Sequence, residues 1–145
     1  MLTSKKVVTA INKQIGNEFG ASMQYIAIAA YFSGDALPQL AQHFYRQAAE
    51  ENDHAMRFIK YLTDAGGRVV IPAIGAPQPT FKNAEEAIKL SLDQEIEVTH
   101  QINALVELLR GRNVEVEVRT QESGHDLTNA DVEAARDWLA ASAIA

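Results

Sequence analysis

A chain of 145 residues, 47% of them apolar and 22% charged, has the composition of an ordinary globular protein and is expected to form a single domain over residues 1–145. A net charge of −6 speaks against a nucleic-acid surface and mildly favours cations, and the absence of cysteine removes disulfides, zinc ribbons and iron–sulfur clusters. The opening MLTSKKVVTAINKQ lacks the apolar run of a secretory peptide, and no stretch approaches the ~20 apolar residues of a membrane span, so a soluble, cytoplasmic protein without membrane partners is expected.

The first helix is predicted from about Ser4 to Ser33, rich in Ala, Ile and Gln and free of proline. Val8, Ile11, Ile15, Glu18, Ser22, Tyr25, Ala29 and Phe32 succeed one another in steps of three and four, so they share one face. Glu18 stands seven residues from both Ile11 and Tyr25, inside that stripe. The SGD tripeptide ends the helix, Asp35 is the expected N-cap of the next, and Pro38 fits its first turn.

The second helix is expected to reach about Ala65 and to stop at Gly66-Gly67. Its stripe is Leu37, Leu40, Phe44, Ala48, Glu51, His54, Phe58, Leu62 and Ala65. Phe44, Glu51 and Phe58 are spaced by sevens, so Glu51 takes the place of a core residue and His54 points the same way one turn on. Asp53 does not, and Glu50 falls at the margin. In the third helix, Asn83 and Glu86 make a capping box and the helix runs to about Arg110 before Gly111. Ile88, Glu95, Ile102 and Leu109 form a line of sevens in which Glu95 is the only charge. His43 and His100 lie off the stripes and read as ordinary surface or interface histidines.

Each helix thus carries one carboxylate in its apolar stripe. A lone Glu in such a stripe is most often a rim residue whose stem is buried and whose head reaches water. Three beside one histidine are different, because a buried carboxylate costs several kcal/mol unless it is paired or metal-bound, and these stripes contain no Lys or Arg. The joint pattern calls for a cation.

The connection between the first two helices is only two or three residues long, which makes them antiparallel neighbours. GRVVIPAIGAPQPTFK, with its three prolines, separates the second from the third. A helix of about 28 residues is about 42 Å long, and about 16 extended residues reach about 50 Å, so this segment can travel the length of a bundle and leave the second and third helices parallel. Val69, Val70, Ile71 and Ile74 are expected to pack along the bundle. An all-α, ferritin-like helical bundle with one long crossover has this arrangement, and its metal sites use inward-facing Glu and Glu-x-x-His.

Residues 4–110 resemble a bacterial non-haem ferritin. The residues that carry the resemblance are NKQIGNEF with Glu18, Tyr25 seven later, EENDHA with Glu51 and His54, YL before the paired glycines, DQEIEVT with Glu95, and INALVELL. The resemblance implies a ferroxidase centre in which Glu18 and His54 hold one iron, Glu51 bridges two, Glu95 holds the second and Tyr25 hydrogen-bonds within the site. Glu50 matches a position that bacterial ferritins use for an additional iron. Haem-binding relatives carry methionine directly after the bridging Glu; Asn52 stands there, so no haem is expected. Carboxylates with one imidazole suit Fe(II) and Fe(III), with Zn or Mn as surrogates. The implied function is oxidation of Fe(II) by O2 or peroxide and storage of the product as mineral in a homo-oligomeric, 24-subunit cage.

After Gly111 the sequence leaves the family's pattern, which continues with a long fourth helix. VEVEV alternates with period two, SGHD is a break, and only Asn129 to Ile144 has helical spacing, so the fourth helix is expected to be short or altered. Glu122 and His125 form a second Glu-x-x-His that would complete the ligand set, but Gly124 within it and Glu115 and Asn129 seven residues to either side favour a polar loop. Two alternatives to the storage protein stay open: a non-catalytic helical assembly protein with a structural metal or none, and a diiron oxidoreductase that forms no mineral.

Overall fold

The computed structural model describes residues 4–110, and three helices organise them: α1 (Lys5–Gly34), α2 (Pro38–Asp64) and α3 (Ala84–Arg110). Ser4 caps α1, its hydroxyl accepting from the Val7 N–H at 3.3 Å. At the other end the Asp35 N–H donates to the Tyr31 carbonyl at 3.0 Å and the Leu37 N–H to the Phe32 carbonyl at 2.9 Å, around Ala36 at φ 56°. Asp35 therefore closes α1 instead of capping α2. The N-cap of α2 is Leu37, with no side-chain cap bond. With three residues between the helices, the same peptide groups have to satisfy the last carbonyls of α1, and Pro38 brings no N–H that needs a cap.

Leu37 and Leu40, expected in the core, are 38% and 37% exposed. They precede the point at which α2 meets α1, which begins with the buried Ala41. From there the expected stripe is buried through Leu62 and Ala65. Gly66, at φ +76°, ends the helix: the left-handed conformation that glycine adopts freely lets the Gly67 N–H reach the Leu62 carbonyl at 2.8 Å.

The crossover climbs α1 in the direction of α1 itself. Asn12 grips it at the start, Nδ2 donating to the Arg68 carbonyl at 2.9 Å and Oδ1 accepting from the Val70 N–H at 2.8 Å. Gln24 does the same at the end, donating to the Gln78 carbonyl at 3.1 Å and accepting from the Gln78 N–H at 2.8 Å. Between the two clips, Pro72 lies on Gly16 and Ile74 on Gly20. Two residues of chain thus match four of helix, and at about 3.1 Å per extended residue and 1.5 Å per helical residue both advance about 6 Å. Val69 packs on the core and Ile74 is half-buried, as expected, whereas Val70 and Ile71 are both exposed.

The crossover delivers α3 parallel to α2. The Asn83 Oδ1 accepts from the Glu86 N–H at 2.9 Å, and the Glu86 carboxylate reaches back to the Lys82 N–H at 2.6 Å, one residue beyond the expected box. One apolar cluster joins Val7, Ile11 and Ile15 of α1 to Phe58 and Leu62 of α2 and to Val98, Ile102 and Leu109 of α3. A second joins Tyr25, Ile28 and Phe32 to Phe44, Ala48 and Ala87. Val7 is buried where Val8 was expected, a shift of the stripe by one residue at the helix start.

α1 packs closely against both other helices, while the backbones of α2 and α3 stand apart and the two helices share only the apolar clusters. The described helices so fill three corners of a four-cornered bundle. Among the described residues no helix is long and apolar enough to cross a membrane. The VEVEV segment, Glu122 and His125, and the stretch from Asn129 to Ile144 in which a short helix is expected lie outside the described residues.

Candidate metal centre

Between the two apolar clusters lies a polar layer made of Gln14, Glu18, Ser22, Glu51, His54 and Ser91, all buried. Its level follows from the turn. Glu18 stands 18 residues before Ala36 and His54 18 residues after it, so two antiparallel helices of equal rise bring them side by side. The Ser22 hydroxyl donates to the Ala48 carbonyl at 2.7 Å and ties α1 to α2 one turn from the acids.

Glu18, Glu51 and His54 form the one group among the described residues whose ligand atoms come close enough to hold a metal ion: one from each lies within 4.8 Å of the others. Glu18 is fully buried, Glu51 is 3% exposed and His54 6%. His54 Nδ1 is 3.6 Å from Glu51 Oε2. Two carboxylates and an imidazole converging in a layer closed above and below by apolar side chains form a hard, anionic donor set suited to a divalent cation of the first transition row.

The other expected ligands are placed differently. Glu95 faces the interior but is only half-buried and lies outside the three-residue group. Its Oε1 accepts a hydrogen bond from the Tyr25 hydroxyl. Tyr25 is 2% exposed, and burial, followed by the hydrogen bond and charge of Glu95, pushes its hydroxyl well above the ordinary tyrosine value, so it remains a donor at neutral pH. Glu50 is exposed on the outer face of α2, as are His43 and His100. Sequence reasoning missed Gln14 and Gln94. Gln14 continues the three-and-four spacing between Ile11 and Glu18, a signal that an apolar stripe hides; Gln94 Nε2 donates to the Ala21 carbonyl at 3.3 Å and braces α3 on α1.

In sequence and fold this chain is similar to known proteins. It is 47% identical over 100 residues to ferritin BfrB of Mycobacterium tuberculosis, covering 69% of this chain and 55% of that protein. It is 35% identical over 109 residues to the bacterial non-heme ferritin of Staphylococcus aureus, covering 75% of this chain and 66% of that one. The chain spans about half the length of the mycobacterial relative. Among solved structures, a humanized archaeal ferritin matches with a TM-score of 0.74 at 29% identity, over 77% of this chain and 67% of that one. A ferritin-like domain model matches residues 8–116, and with it the chain belongs to the ferritin family.

Proposed function

We propose that this protein takes up Fe(II), oxidises it to Fe(III) at the Glu18–Glu51–His54 centre and stores the product as mineral inside a shell built from copies of itself. The observation that carries the reading is the burial of two glutamates and a histidine with ligand atoms within 4.8 Å. Two carboxylates brought this close in a buried layer are costly without positive charge, and a divalent cation on the shared oxygens and imidazole supplies it. Fe(II) is substrate here, while Zn(II) or Mn(II) would serve as unreactive surrogates on the same donors.

In this reading Glu18 and His54 hold one Fe(II), and Glu51 shares a second with Glu95, which Tyr25 orients through its hydroxyl. Glu51 keeps the two ions together so that each gives up one electron. Two Fe(II) and one O2, with two protons from water, yield two Fe(III) and one hydrogen peroxide. The anionic oxygens bind the higher charge more strongly. The ferric product hydrolyses on release, and the 24-subunit cage of the family is the favoured container.

The half-buried Glu95 favours a weaker second position and supports one alternative, a helical assembly protein with a single structural metal. Adding Fe(II) to the aerobic protein and following ferric absorbance, with particle size measured afterwards, separates the two. Catalysed oxidation that vanishes in Glu51→Ala, on a large shell, is the expected result. Oxidation no faster than in buffer would refute the ferroxidase, and a discrete dimer would refute storage.

A further inference from the structure

Gln14 stands one helical turn before Glu18 on α1 and is 3% exposed. Its Nε2 donates to Glu18 Oε1 at 3.0 Å, and its Oε1 accepts from Asn17 Nδ2 at 3.3 Å. A primary amide has one donor end and one acceptor end. With the Asn17 NH2 group on the acceptor end, the donor end has to face Glu18. A flipped Gln14 would set its carbonyl against the Glu18 carboxylate, so the amide can accept from Asn17 only while its donor end faces Glu18. Asn17 is half-buried and lines, together with Gln14, a groove of about 390 Å³ between α1 and α3.

We infer that Gln14, oriented by Asn17, is the positioning residue of this centre: it fixes the rotation of the Glu18 carboxylate so that Glu18 meets the metal through one oxygen. This rests on the metal reading proposed above and extends it to two residues that touch no ion. The physical reason is that a ligand carboxylate free to rotate loses conformational entropy when the ion arrives, whereas one already held by an amide donor loses less. Asn17 acts only through Gln14.

The test is calorimetric titration of the assembled, chelator-treated protein with Co(II) under anaerobic conditions, together with the visible Co(II) absorption bands. Gln14→Leu, close in size and without a donor, should weaken Co(II) binding about 10- to 100-fold and alter the bands. Asn17→Ala should weaken it less, and should add nothing in the Gln14→Leu background, because both act on one bond. A merely structural role would instead lower the Tm of the metal-free protein and leave Co(II) affinity and spectrum unchanged, and that result overturns the inference. Additive losses in the double variant overturn the role of Asn17. Should Gln14→Leu fail to fold, Asn17→Ala carries the same comparison alone: unchanged Co(II) affinity there overturns the inference. Glu51→Ala separates the two layers of the proposal. If it binds Co(II) as the wild type does, the metal centre itself is wrong; if it does not while Gln14→Leu does, only the positioning role falls.

Discussion

Replacing Glu51 by glutamine should make the metal-free protein more stable and should remove most of the stability that a bound metal adds. Glu18 and Glu51 are fully buried and 3% exposed, with ligand atoms within 4.8 Å. Two full charges at that separation repel by about 3 kcal/mol at an effective dielectric near 20. His54, 3.6 Å from the Glu51 carboxylate, offsets part of this. Glutamine keeps the volume and removes the charge, so the metal-free variant should gain about 1–3 kcal/mol, or roughly 3–10 °C in Tm for a chain of this size. Zn(II) acts in the opposite direction. At a hundred times its Kd it stabilises the wild type by about 2.7 kcal/mol, and removing one of three ligand carboxylate or imidazole groups should reduce that increment to below about 1 kcal/mol. The assay is thermal unfolding before and after Zn(II) addition, at one protein concentration because subunit association also moves Tm. The advantage that the variant holds without metal should therefore shrink by about 2 kcal/mol once Zn(II) is added. A Glu51→Gln variant with a lower metal-free Tm, or with a Zn(II) shift equal to that of the wild type, would refute the reasoning.

Three further outcomes follow from the packing. A Cβ at Gly16 would overlap Pro72 Cγ and stand 3.1 Å from Pro72 Cδ, on a crossover clipped to α1 on both sides; Gly16→Ala should therefore cost about 1–3 kcal/mol and speed amide exchange at Val70, and unchanged exchange would contradict the clip. Ala36 at φ 56° occupies a conformation that is unfavourable for a residue with a Cβ, so Ala36→Gly should raise stability by about 0.5–1 kcal/mol in urea unfolding, and a loss would show that the turn relies on the methyl group. Tyr25 holds its proton in the folded protein at pH values where the unfolded chain has lost it, so its contribution is fully present below about pH 10 and is lost as pH rises above it, by about 1.4 kcal/mol per pH unit. Tyr25→Phe should flatten that alkaline slope, leaving the smaller share from Tyr61, also raised by burial; a slope identical to the wild type would exclude Tyr25 as its source.

Much of the site was legible before any coordinates because it depends on local periodicity. Glu18, Glu51 and His54 face inward for the same reason as Ile11, Phe44 and Phe58: the 3.6-residue repeat places them on the buried stripe whatever packs against it. The short connection at Ala36 then forces the two helices antiparallel, and equal rise per residue brings Glu18 level with His54. The stop at Gly66 was equally plain, because the left-handed residue that ends α2 is one glycine tolerates.

What periodicity could not decide are the features that depend on where a second element lies. Leu37 and Leu40 keep the apolar spacing but are exposed, because the stripe of α2 meets α1 only from Ala41 onward. Glu95 sits in a faultless line of sevens, yet its distance from the other acids is set by the height of α3, and that height depends on a crossover held by Asn12 and Gln24, two amides that no hydrophobic pattern registers. Gln14 stands beside the apolar stripe with no apolar signal of its own, and only the structure sets it between Glu18 and Asn17. Which face of each helix turns inward is therefore written in the chain, because a helix repeats its own geometry. Which side chains meet across helices was decided only by the tertiary structure, because hydrogen bonds between distant amides and backbone groups leave no period in the sequence.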